Sequence, residues 1–310
     1  MTTTWFIVAR AVHIGACLLF FGGFAFDHWV TAPVFAGEKA EAGGWWQNWQ
    51  RILNLILLPV ILLSGILWYM LVAMTMSGQP PQLEVLETVW TRTQFGTVSG
   101  WRLIFWLAAT VGVGLLLVRR WPPAVQNCLL WFQLLVSGAL LGSLAWAGHG
   151  QESSVWHLLA DVLHLLVAGF WPAGLLPFFL RLRRLRQAEP VRWDLIAILV
   201  RRFSALSLGS VALLVITGFI NSLFLVGSFS SLFQQSYGRW LLLKIILFGV
   251  AVGLGAVNLL RLKPALSREE TPESIAVAAR LEFNVRVEFW LGVAIIVTVA
   301  VLGILPPANR

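Results

Sequence analysis

The sequence has few charged residues, few cysteines and only five histidines. Charged residues occupy 12% of the 310 positions, where about 25% is usual in soluble globular proteins. The two cysteines, Cys17 and Cys128, lie in separate apolar runs and provide no disulfide framework. No Gly-x-x-x-x-Gly-Lys-Ser/Thr motif occurs, so no nucleotide site of that kind is indicated, and we expect a protein that is not an enzyme. With 58% hydrophobic residues, the composition excludes an ordinary soluble domain and favours a membrane protein.

Eight nearly uncharged runs approach or exceed the ~20 residues that span the hydrocarbon core of a bilayer. They cover residues 5–26, 52–74, 101–118, 125–147, 158–180, 203–227, 240–260 and 287–305. The first run lacks a preceding basic segment, so we expect a permanent helix and not a cleaved signal peptide. The sequence therefore predicts an all-α polytopic membrane protein with about eight transmembrane helices.

Two segments about 150 residues apart share one pattern. His13 and His164 each begin an apolar stretch, with an aromatic residue seven positions later and small residues at nine and ten. Further along, Ser64-Gly65 matches Thr217-Gly218, and Phe95-Gly96 before Arg102 matches Tyr237-Gly238 before Lys244. Because each half holds an even number of helices, we expect two parallel four-helix repeats, residues 1–147 and 148–310, that meet in one integrated membrane domain.

The net charge of +8 could indicate nucleic-acid binding, but its distribution indicates orientation. Sixteen of the 22 lysines and arginines fall after the odd-numbered helices, as in the basic run 181–186. Positive residues concentrate on the cytoplasmic side of membrane proteins. We therefore expect those connections in the cytoplasm, both termini in the periplasm, contact with the lipid bilayer and no nucleic-acid partner.

In this orientation four of the five histidines, His13, His149, His157 and His164, lie towards the outer side. His157, Asp161 and His164 are spaced to share one helix face if their helix starts by about residue 157. A histidine in lipid is costly without a partner, so the repeated pair predicts a binding site. Asp161 is expected to orient a histidine or to bind a metal itself, the former being the favoured role.

Three of the four methionines, Met70, Met74 and Met76, crowd the outer end of the second run. Imidazole and thioether ligands together suit copper, above all Cu(I). The pattern predicts a copper site of His13, His149, His157, His164 and Asp161, with Met70, Met74 and Met76 as further ligands. Methionine also serves as flexible core filler, which is the alternative reading for all three.

The chain resembles the bacterial copper-resistance protein D family (CopD, also PcoD). The matching residues are 148–150, 156–166 and 171–175, then Arg202-Phe203-Ser204, Thr217-Gly218 and Tyr237-Gly238-Arg239 followed by Lys244. The resemblance covers nearly the whole chain and is strongest over 148–264. It implies an eight-helix inner-membrane protein that handles copper between periplasm and cytoplasm, often beside a small periplasmic copper-binding partner. The departure is Pro172-Ala173, where the family tends to have an apolar residue and a glycine.

Two alternatives from other classes stay open. A b-type haem electron carrier would use His13 and His164 as axial ligands. A membrane scaffold or copper sensor would bind the metal without transporting it. The first interpretation, copper captured outside by the histidines and passed inward, is the one on which the sequence evidence converges.

Overall fold

The computed structural model describes residues 2–35, 41–118, 121–147, 154–226, 228–266 and 271–306, and these residues form helices with no strand among them. Eight of the described helices are long and apolar enough to cross a membrane, which confirms the predicted number. They are α1 (Thr3–Val34), α2 (Gly44–Ser77), α3 (Gln94–Leu117), α4 (Pro123–Ala147), α5 (Val155–Arg186), α6 (Trp193–Val226), α7 (Ser236–Ala265) and α8 (Pro272–Leu302). Helices satisfy every backbone donor internally, which a span through lipid requires.

Several helices are longer than the apolar runs that predicted them. Helix α8 begins at Pro272, although its apolar run begins at 287, and α6 begins at Trp193, although its run begins at 203. The hydroxyl of Thr271 caps α8 by accepting a hydrogen bond from the backbone N–H of Ser274 at 3.1 Å. Charged residues end a hydropathy signal but do not end a helix, so these helices extend beyond the apolar layer.

Two helices contain π turns, at Asp27–Thr31 in α1 and at Asn258–Leu262 in α7. Each turn lies just before a proline, Pro33 or Pro264, whose missing N–H removes one bond of the helix ladder. The carbonyl of Trp29, four residues before Pro33, instead accepts a hydrogen bond from Nε of Arg202 at 2.6 Å. A basic residue of α6 thus completes the end of α1.

Helices α1 and α5 contact each other at the centre of the bundle, and both also contact α4 and α8. Gly22 lies at the α1–α5 crossing, where a Cβ atom would stand 2.5 Å from the carbonyl oxygen of Gly169 and 2.9 Å from Cβ of Ala173. Small residues let helices approach closely in membranes, where burial of apolar surface provides no driving force. Helix α2 packs beside α1 and helix α6 beside α5. The arrangement as two related repeats stays a prediction.

Candidate functional site

The first histidine cluster consists of His13 and Cys17 on α1, Ser64 on α2, and Arg102 on α3. Nδ1 of His13 lies 3.1 Å from the carbonyl oxygen of Ile61 and 3.0 Å from Oγ of Ser64. Its Nε2 accepts a hydrogen bond from Arg102 and lies 3.9 Å from Sγ of Cys17, the residue predicted to share its face. His13 and Arg102 are both buried.

These contacts determine which nitrogen of the His13 ring carries the proton. A carbonyl only accepts, so Nδ1 carries the hydrogen that reaches Ile61. The hydroxyl of Ser64 donates to the carbonyl of Val60 at 2.5 Å and therefore accepts from the same Nδ1–H. Arginine has donors only, so Nε2 carries a lone pair that Arg102 engages. A metal ion could take that lone pair only after the guanidinium moved.

Arg102 is held on its other side by α4. It donates to the carbonyl of Leu140 at 3.0 Å and to the hydroxyl of Ser143 at 2.6 Å. Gly65 lies against the ring of His13, since a Cβ atom at Gly65 would stand 3.0 Å from Cε1. The cluster thus joins four helices around one imidazole.

The second histidine cluster is a row of pairs between α5 and α6. His164 Nδ1 lies 2.9 Å from the hydroxyl oxygen of Thr217, and Asp161 accepts a hydrogen bond from the side-chain amide of Asn221 at 3.1 Å. One turn further, His157 stacks on Phe224 with ring centroids 4.7 Å apart. Helix α5 starts at Val155, so the predicted common face of His157, Asp161 and His164 is confirmed, and it is the face towards α6.

Thr217 fixes the proton of His164 as Ser64 does for His13. Its hydroxyl donates to the carbonyl of Leu213 at 2.7 Å, so it accepts from Nδ1–H of His164, and Nε2 carries the lone pair. Gly218 borders this ring as Gly65 borders the other, with a Cβ position 3.5 Å from Cε1. Hydrogen bonding of one ring nitrogen to set the other as a ligand is common around protein-bound metals.

The two clusters differ in charge. The first cluster contains Arg102. A second arginine, Arg10, three residues before His13, lies nearby, with its guanidinium 5.0 Å from the ring centre of Trp68, which itself packs against the ring of His13. Asp161 takes the corresponding place before His164, and Lys244 of α7 lies within electrostatic range of both Asp161 and His164. Because an acidic group attracts a cation, the second cluster is the more favourable of the two for a metal ion.

The predicted site residues are not all brought together. His13 contacts α2 and α3 while His164 contacts α6, and the two rings have no common hydrogen-bond partner among the described residues. In the same part of the chain no group of three or more His, Cys, Asp and Glu side chains is arranged to hold a metal ion. His149 lies outside the described residues.

The methionines lie in the C-terminal half of α2 in three different surroundings. Met74 packs against the hydrophobic core, Met70 is partly buried, and Met76 is 58% exposed. As metal ligands the three remain a prediction.

Sequence reasoning identified both histidines but missed the side chain that binds the first one. The sequence indicates Arg102 only as a match to Lys244, because a sequence does not reveal which helices lie side by side. The acidic residue Glu288 was missed altogether, although it interrupts the last apolar run at its second position. The signal that indicates Glu288 is a single charged residue inside an apolar run.

Comparison with known proteins gives a consistent result over most of the chain. The family model for the Copper resistance protein D-like N-terminal domain matches residues 1–159, and the model for Copper resistance protein D matches residues 197–302. The chain is 32% identical over 255 residues to Copper resistance protein D of Pseudomonas syringae pv. tomato, covering 79% of this chain and 80% of that protein. It is also 32% identical over 171 residues to Copper transport protein CutJ of Bacillus subtilis (strain 168), covering 54% of this chain and 29% of that relative.

Proposed function

Because the chain belongs to the copper resistance protein D family, we propose that it transports copper across the bacterial inner membrane in copper resistance and homeostasis. It acts as a transporter and not as an enzyme. Copper is the cargo, and the two histidine clusters are its binding groups on the periplasmic side.

The observation that carries this proposal is the matching hydroxyl contact at Nδ1 of the two rings, to Ser64 in the first cluster and to Thr217 in the second. In each cluster a hydroxyl that already donates to its own helix accepts from Nδ1–H of the histidine, which places the lone pair on Nε2. In the first cluster Arg102 engages that lone pair and has to move before a ligand binds there. Neutral imidazole is a good ligand for copper.

In the proposed path His149 and His157 receive the ion, and His164, Asp161 and His13 hold it, with Met70, Met74 and Met76 as further ligands for Cu(I). Asp161 contributes negative charge beside His164 and is itself oriented by Asn221. Arg102 must leave Nε2 of His13 before that ring binds copper, so the first cluster is loaded after the second. A small periplasmic copper-binding protein would deliver the ion.

Inward transport follows from the membrane potential. A cation that moves to the negative side gains roughly 2.3 kcal/mol per charge per 100 mV, so uptake requires no nucleotide hydrolysis. This direction rests on the proposed topology, in which both termini and the outer ends of α1 and α5 face the periplasm.

The haem alternative is less well supported by the contacts. Two axial histidines must direct their lone pairs at one iron. Here Nε2 of His13 engages Arg102, while His164 contacts a different set of helices. An absorption spectrum of the purified protein decides this point, since a Soret band would establish haem.

Copper uptake into vesicles that contain the purified protein tests the proposal. We expect uptake driven by an inside-negative potential, and we expect His164→Ala to remove most of it. His28→Ala is the matched control, because His28 packs against the ring of Trp131, 4.0 Å away, and belongs to neither cluster. Equal uptake by wild-type and His164→Ala protein would contradict the proposed site.

A further inference from the structure

A carboxyl group is buried between α7 and α8, and it uses none of the residues of the two histidine clusters. Glu288 on α8 is only 3% exposed. Its Oε1 accepts a hydrogen bond from Nδ2 of Asn258 at 2.5 Å, and Oδ1 of Asn258 accepts one from Nδ2 of Asn284 at 2.7 Å. We name Asn258, Asn284 and Glu288 the inner polar cluster, since the predicted topology places it in the cytoplasmic half of the membrane.

No basic residue of the described chain pairs with this carboxyl. Within the described ranges, no lysine, arginine or histidine nitrogen lies within 4 Å of Glu288. The neighbouring basic residues of α7 and α8 are Arg261, Lys263 and Arg286, and both arginines are exposed. An acidic side chain within a membrane helix is costly, and such residues most often serve transport or proton transfer.

Three charged groups on α1 and α5, the other helices that pack against α8, have contacts of their own. On α5, Arg186 pairs with Glu282, and Arg181 lies over the rings of Phe35 and Trp46. On α1, Asp27 accepts a hydrogen bond from the indole N–H of Trp46 at 2.9 Å. Among the described residues, the amide of Asn258 is thus the polar group that hydrogen-bonds the Glu288 carboxyl.

The contacts of the two Glu288 oxygens determine which kind of ligand this carboxyl can bind. An amide N–H binds Oε1, whereas Oε2 lies beside Gly255 and has no hydrogen bond from the part of the chain that the structure describes. Hard metal ions take six or more oxygen ligands, and copper prefers nitrogen and sulfur. A proton needs only one oxygen, so Oε2 alone can bind it.

We propose that Glu288 is a proton-binding site, which gains and releases a proton on Oε2 while Asn258 holds Oε1. Gly255 supports this assignment, because a Cβ atom there would stand 3.7 Å from Oε2, so a larger side chain would close the space beside that oxygen. Asn258 is also the first residue of the π turn of α7, and such turns occur frequently at functional sites. The site is defined without copper and goes beyond the proposed transport function.

Infrared difference spectroscopy of the copper-free protein in lipid nanodiscs tests the proposal directly. We expect the wild-type protein to show the C=O stretch of a protonated carboxyl that disappears as the pH rises. Glu288→Gln should lack this band, and Glu288→Asp should shift its frequency, which keeps the test valid if the glutamine variant does not fold. Glu282→Gln, a neutralised carboxyl on the same helix, should retain the band.

Two results would overturn the assignment. One is a titrating band that is identical in the wild-type, Glu288→Gln and Glu288→Asp proteins, because another carboxyl would then be its source. The other is a Glu288 band that persists at every pH, because the proton would then be a permanent part of the structure. Neither result bears on copper transport, which the uptake assay measures separately.

Discussion

Two small hydroxyl residues decide which nitrogen of each histidine can bind a ligand. Ser64 and Thr217 both donate to their own helices and accept from Nδ1–H of His13 and His164. The sequence repeat predicted the pairing of positions, since Ser64-Gly65 and Thr217-Gly218 match. It could not predict the contact between Arg102 and His13, because the lateral order of helices is set by packing and not by any local pattern.

Removal of the hydroxyl at 217 should weaken copper binding with little effect on the fold. Thr217→Val keeps the shape of the side chain but loses the acceptor that fixes the His164 tautomer. We expect a loss of about 10- to 100-fold in Cu(I) affinity, as is typical for partners of ligating histidines. Competition titration with a chromogenic Cu(I) chelator measures it. Thr298→Val is the control, because that buried hydroxyl donates to the carbonyl of Ala294 and belongs to neither histidine cluster; equal losses in both variants would refute the role of Thr217.

Arg102 should restrain the first cluster. Arg102→Gln removes the positive charge next to Nε2 of His13, so we expect tighter copper binding there together with lower thermal stability, since Leu140 and Ser143 lose their donor. Copper stoichiometry and affinity in the single variant and in Arg102→Gln with His13→Ala measure the effect. The exposed Arg92→Gln is the control. A gain that survived the loss of His13 would rule out this explanation.

At the scale of the helix, the sequence predicted which segments span the membrane but underestimated their length. Each apolar run stops at the nearest charged residues, whereas helices α6 and α8 include such residues and begin earlier, at Trp193 and Pro272. The common face of His157, Asp161 and His164 followed from helical spacing alone. The sequence could not predict that this face contacts Phe224, Asn221 and Thr217 of α6, because that contact depends on how the helices pack in three dimensions.

The crossing of α1 and α5 offers a clean test with adjacent glycines. A Cβ atom at Gly22 would clash with the backbone of Gly169, whereas a Cβ atom at Gly23 meets nothing within 4 Å. We expect Gly22→Ala to cost about 1–3 kcal/mol through overpacking and Gly23→Ala to be nearly neutral. Thermal unfolding in detergent measures both variants. Equal stability of the two variants would show that the crossing is looser than described.

At the scale of the molecule, the excess of lysine and arginine after odd-numbered helices predicts the orientation. We expect a cysteine placed at 184 to react with a membrane-impermeant reagent only in inverted vesicles, and one placed at 156 to react only in intact spheroplasts, with Cys17 and Cys128 replaced in both. The exposed position of Trp156 makes it a suitable reporter. Labelling in the reverse pattern would invert both the topology and the proposed direction of transport.

The relation between the two halves determines how many copper ions the protein holds. A site shared by His13 and His164 predicts that either single alanine variant loses almost as much copper as the double variant. The contacts point instead to separate clusters, because the two rings have different partners and Arg102 engages only one of them. We therefore expect His164→Ala to remove most copper at low occupancy, and His13→Ala to remove a weaker site that fills later, with losses that add in the double variant. Equilibrium dialysis across a range of free copper resolves the two steps. Single variants that each match the double variant would establish a shared site, and the halves would then have to rearrange so that both rings reach one ion.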